Sequence, residues 1–99
     1  MMKVTDKEDR FWFFLENGTD FYIDVHCNVS AFGFSMLIKL NKEEAENYRK
    51  SGYEFLKELA RDIQYYSQSK YKDRHELGEI GKIAHNAIMT FNKNSDSGN

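Results

Sequence analysis

RFWFFLENGTDFYIDVHCN, Arg10 to Asn28, consists of two apolar runs on either side of an Asn-Gly pair. Residues 10–16 are short and aromatic, which suits a pleated strand. Asn17-Gly18 favours the positive φ angles of a tight hairpin turn. Residues 19–28 then alternate. Phe21, Ile23, Val25 and Cys27 fall on one face, and Tyr22, Asp24, His26 and Asn28 on the other. Beyond a loop around VSAFG, FSMLIKL (34–40) again sets Phe34, Met36, Ile38 and Leu40 on one side. Together these runs predict a three-stranded antiparallel β-meander with residues 19–28 as its middle strand.

The period then changes. Asn41 with Glu44 three residues later is a capping-box pattern, and Ala45, Tyr48, Gly52, Phe55, Leu56, Leu59, Ala60 and Ile63 follow at helical spacing. Ser51-Gly52 interrupts this helix, either as a kink or as a glycine tolerated within it. Asp73 with Glu76 repeats the capping pattern, and Leu77, Ile80, Ala84, Ala87, Ile88 and Phe91 mark a second amphipathic helix. Residues 1–9 read as polar and loose and 93–99 as a polar tail, which leaves an ordered core of about residues 10–92. The expectation is one α+β domain over residues 1–99, its two helices packed on one face of the sheet.

Ninety-nine residues, 40% apolar and 30% charged, suit a single globular core. A net charge of −2 disfavours nucleic acid or an anionic membrane as partner. The single cysteine fits a reducing compartment. The first ten residues hold no apolar run of the signal-peptide kind, and no stretch approaches the roughly 20 apolar residues that cross a bilayer. A cytoplasmic protein is expected.

The opening stretch places an acid, an imidazole and the thiol within four residues. His26 and Cys27 are strand neighbours and point to opposite faces, so Cys27 reads as a small buried hydrophobe. Asp24 and His26 share a face about 6.6 Å apart along the strand, and a catalytic role there needs a third group and a pocket. His26, Cys27, His75 and His85 have no metal-ligand spacing. Neither a metal nor a cofactor is expected. GEIG (78–81) has the G-x-x-G form of a phosphate-clamping loop, but its variable positions are an acid and a core-type isoleucine; close helix packing accounts for the two glycines. KYKDRH (70–75) is locally basic and reads as a solvated loop.

The 10–16 strand is apolar on both sides, with Phe11, Phe13 and Leu15 on one and Trp12 and Phe14 on the other. Such a sheet needs a further cover: a partner protein, a second copy of the chain, or the chain's own helices on both faces. Residues 16–40 also carry Glu16, Asp20 and Asp24 against Lys39 alone.

FYIDVHCNVSAFGFSMLIKLN (21–41), followed by EEAENYRKSGYEFLKELARDI (43–63), resembles the small bacterial immunity proteins encoded beside polymorphic toxins, including those of contact-dependent inhibition. The resemblance spans roughly residues 10–64 and lies in the succession of an aromatic strand, an acidic strand and a glycine-interrupted helix. It implies a cytosolic, non-enzymatic antitoxin that binds a cognate toxin domain, often a basic nuclease, and occludes its active site. Trp12, Tyr22, Asp24, His26 and Asn28 are the expected partner-binding residues, because acids beside rings combine steering with rigid anchors. The alternative is a small enzyme or ligand-binding domain that uses Asp24 and His26 in a cleft.

Overall fold

The computed structural model of the chain describes residues 1–29 and 32–97, with the side chains of residues 1–27 and 33–94. Four strands run in order along one antiparallel sheet: β1 (Met2–Glu8), β2 (Trp12–Asn17), β3 (Asp20–Val29) and β4 (Phe32–Lys39). Helices α1 (Lys42–Ser51) and α2 (Tyr53–Tyr65) follow, then a 3-10 turn at Lys72–Arg74 and α3 (Glu79–Ser97). The α+β class and the antiparallel meander are as expected from the sequence, with one strand and one helix more.

The additional strand is the segment expected to be loose. Residues 2–8 carry only Met2 and Val4 as apolar side chains, between Lys3, Asp6, Lys7 and Glu8. Charge of this kind belongs to an edge strand, which must deter pairing with another sheet. A register shift between Val4 and Asp6 bends β1 against β2. The β2–β3 hairpin pairs Asn17 with Asp20, so its two central residues are Gly18 and Thr19. Of these only Gly18 has a positive φ, 63°, so the turn falls one residue later than an Asn-Gly centre would place it.

Two-sided apolarity is resolved by the chain's own helices. On one face Trp12, Phe14, Ile23, Val25, Met36 and Ile38 pack against Leu56, Leu59, Ala60 and Ile63 of α2. Tyr48 of α1 closes the edge, its ring 4.5 Å from that of Phe14. On the other face Met2, Leu15, Tyr22 and Leu37 pack against Ala84, with Phe13, Ile80, Ala87 and Ile88 around them. The expectation that the helices share one face is therefore corrected. One face of β2 alone would leave Phe13 and Leu15 in water, and α3 crosses to cover them.

The interruption at Ser51-Gly52 is a break between two helices. The capping box at its start forms as read: Glu44 N–H donates to Asn41 Oδ1 at 2.8 Å, and Asn41 N–H to Glu44 Oε1 at 2.9 Å. Gly52 ends α1 by donating to the Tyr48 carbonyl at 2.7 Å, and its own carbonyl accepts from Leu56 at the start of α2. The Asp73–Glu76 pattern starts no helix. Glu76 N–H donates to the Leu37 carbonyl at 2.8 Å and His75 bridges to Ile38, so this backbone is committed to the edge of β4. The α3 helix begins only after Gly78 and runs on through residues 93–97, which were expected to be an unstructured tail.

Gly52 sits at φ 57° and ψ −130°, outside the left-handed well that asparagine tolerates. A β-carbon there would meet nothing within 4 Å, so any cost of substitution is backbone strain rather than collision. Gly52→Ala should lose about 1–3 kcal/mol of stability in urea unfolding, and Gly52→Asn should lose as much. Rescue by asparagine would show that the residue relaxes into the left-handed well.

Candidate functional site

The sheet face beneath α3 is apolar except at one end, where Asp24 and His26 of β3 emerge beyond the helix's packed stripe. The β3–β4 register sets Ser35 opposite His26 and Leu37 opposite Asp24. The pairing of residues 75–76 with β4 carries His75 and Glu76 to the same place, and the first turns of α3 bring Lys82 and His85. The result is an open cleft of about 480 Å³, lined by Asp24, Ser35, His75, Glu76, Lys82 and His85. An adjoining cavity of about 520 Å³ shares Asp24, Ser35 and His85 and adds Phe11, Phe13, His26 and Ile88. All three histidines of the chain border these two spaces.

Asp24 is the electrostatic centre of the site. Burial raises the pKa of its carboxyl, and the charges of His75, His85 and His26 offset part of that rise. Among the described residues no hydrogen-bond donor meets it. The neighbouring acid Asp20 lies 3.7 Å from Lys39, which leaves Asp24 as the carboxylate of β3 without an ion pair among the described residues. Ser35, His26 and Asp24 share one face, yet no hydrogen bond links them into a relay among the described residues. No group of three or more His, Cys, Asp or Glu side chains among the described residues is arranged to hold a metal ion.

The five expected contact residues do not form one surface. Asp24 and His26 come together at the cleft. Tyr22 is on the same face but 4% exposed beneath α3, and burial raises its phenol pKa. Trp12 is 1% exposed on the opposite face, its indole N–H without an acceptor among the described residues. The side chain of Asn28 lies outside the described residues. Cys27 is buried away from His26, and burial raises its thiol pKa, as its reading as a small hydrophobe requires.

The basic run at 70–75 is largely neutralised. Lys70 donates to Asp62 at 2.8 Å, and the Tyr71 hydroxyl donates to the same carboxylate. Arg74 grips Glu44 with both terminal nitrogens, at 3.0 and 2.6 Å, and reaches the Lys39 carbonyl at 2.9 Å. The glycines of GEIG do not mediate close helix packing. Gly78 turns the chain at φ 76° with open space around it, and a β-carbon on Gly81 would make an ordinary 3.5 Å contact.

His75, Glu76, Lys82, His85 and Ser35 were not legible as site residues. Only the Ser35 position follows from strand register; the others are distant in sequence and arrive through the pairing of residues 75–76 with β4 and the packing of α3. No helix among the described residues is long and apolar enough to cross a membrane. No protein-family model, curated protein or solved structure matches this chain.

The direction of the Asp24 shift sets a stability prediction. An acid whose pKa is raised on folding binds its proton more tightly in the native state, so it costs stability as pH rises through the window above the ordinary carboxylate value. At pH 7 the ionised carboxylate therefore opposes folding. Asp24→Asn should raise the melting temperature at pH 7, and the gain should shrink toward pH 4. Destabilisation by this substitution at pH 7 would mean that the carboxylate has a partner in solution.

Proposed function

We propose that this chain is a non-enzymatic protein-binding module, and specifically a cytoplasmic immunity protein that binds and neutralises a cognate bacterial toxin domain, a nuclease being the kind that the resemblance implies. One arrangement carries the reading. An unpaired carboxylate lies at the floor of an open cleft, and Leu77, 74% exposed, stands at its rim. A desolvated carboxylate beside an exposed apolar side chain offers a partner an unsatisfied acceptor to pair with and apolar area to cover. Asp24 and His26 are the contacts retained from the sequence, with Leu77 added. Trp12 and Tyr22 are buried in the two cores and are not contacts in this reading, and Asn28 belongs to the same strand beyond His26.

The test pairs recovery with protection. The tagged chain should recover a stoichiometric partner from its source cells, and co-expression should protect a host from that partner's toxicity. Asp24→Ala, His26→Ala and Leu77→Ala should each weaken the isolated complex by roughly tenfold or more, about 1.4 kcal/mol. Unchanged affinity in all three would remove this surface from the interface. Recovery of the chain alone, as monomer or homodimer, would count against the inhibitor reading.

A second reading, a small enzyme or ligand-binding domain built on Asp24 and His26, is favoured by the position of Ser35 opposite His26 beside the cleft. Under it, His26→Ala would abolish turnover or small-molecule binding in a chain that recovers no protein.

A further inference from the structure

The groove beneath α3 has two unlike halves that meet at Asp24. Toward one end lie His75 and Glu76; toward the other lie Phe13 and Ile88. Charge is sorted by depth. The two carboxylates, Asp24 and Glu76, are half-buried, while the two bases, Lys82 of α3 and Arg10 of the β1–β2 turn, are exposed at the rim. The interior is therefore acidic, and neither carboxylate meets a hydrogen-bond donor among the described residues; Asp24 is the more desolvated of the two. The complement of such a floor is a cation with more than one N–H to give, carried on an apolar stem. A guanidinium meets a carboxylate through two parallel hydrogen bonds, and its methylenes cover apolar surface. A lysine ammonium offers a point charge without that fork. Spaces of about 480 and 520 Å³ admit such a side chain together with the backbone that carries it.

We propose that this groove receives an arginine side chain of the protein partner, its guanidinium on Asp24 and its aliphatic stem against Phe13 and Ile88. The identification of the donor as a protein rests on the immunity reading; the chemistry of the groove does not. Binding weakens as pH falls. The groups facing the guanidinium are Asp24 and His26 from β3, His75 and Glu76 from the segment before α3, Lys82 and His85 from α3, and Arg10 from the β1–β2 turn. β4 contributes no charged group among the described lining residues, only Ser35 and Leu37. Acid adds positive charge at the imidazoles and removes negative charge from the carboxylates, so every titrating group there acts against a cation.

The full chain, labelled with 15N, is titrated by NMR with N-acetylarginine amide and, separately, with N-acetylcitrulline amide, which keeps the shape and loses the charge. Saturable shifts centred on Asp24, Ser35 and His85 are expected with the arginine derivative, at least tenfold weaker with citrulline and at least tenfold weaker at pH 5.5 than at pH 8. Asp24→Asn should abolish them in a folded chain, and Lys82→Glu, which makes the rim acidic, should tighten binding severalfold. Equal response to both amides, shifts elsewhere on the molecule, or survival in Asp24→Asn overturns the proposal. A recovered partner whose affinity ignores Asp24→Asn overturns the role of the groove and leaves the immunity reading standing. Failure to recover any partner overturns that reading, while a charge-dependent titration still upholds the chemistry of the groove.

Discussion

Trp12 and Phe14 leave β2 on one side, Phe13 and Leu15 on the other, and no arrangement of a single helical layer can bury both pairs. Each large apolar side chain taken from water contributes roughly 1.5–3 kcal/mol, so either uncovered pair would forfeit an amount comparable with the net stability of a small domain. The consequence is a three-layer molecule built from 99 residues. The α1–α2 pair closes one face, α3 closes the other, and the sheet between them has two cores, with Phe14, Leu15, Ile23 and Ile38 all 0% exposed.

Reaching the second face requires the chain to pass around the sheet edge between α2 and α3, and the basic segment at 70–75 serves that passage. Tyr71 is buried beside α2 with its hydroxyl donated to Asp62, and Arg74 ties the capping acid Glu44 to the end of β4. Burial alone would raise the Glu44 carboxyl, yet the hydrogen bonds from Arg74 and from Asn41 N–H outweigh it and lower its pKa. A lowered acid stabilises above the ordinary carboxylate range and loses that contribution as pH falls through its folded value. Residues with the composition of a solvated basic patch thus act as a staple, and by placing His75 and Glu76 on β4 the staple also builds one wall of the cleft.

Local signals were legible and tertiary ones were not. The alternation from Phe21 to Cys27, the turn glycine at 18 and the Asn41–Glu44 capping box are written in contiguous residues, and each produces the structure that such patterns encode. β1 was missed because Met2 and Val4 among charged neighbours carry too little periodicity to distinguish an edge strand from a loose terminus. The false helix start at Asp73 failed because the identical local pattern was overruled by pairing with β4, which no window of sequence contains. The cleft was half legible for the same reason. Asp24 and His26 announce themselves as polar positions within an apolar run, whereas His75 and His85 join them only once helices lie on both faces of the sheet.

What sets Asp24 apart is a desolvated carboxylate that no hydrogen bond satisfies among the described residues. The positions around it on the same face, Tyr22 and Leu37, are apolar and covered, and an apolar residue at 24 would extend that core toward the end of the strand. The chain instead holds a half-buried carboxylate with no donor among the described residues, and three imidazoles only partly offset its desolvation. Local choices that oppose the fold are tolerated where they serve a purpose other than folding. The cost can be offset by a donor from outside, and the groove leads such a donor to that oxygen pair. The proposed cation, once bound, would stabilise the folded chain by mass action, to an extent set by its concentration and affinity.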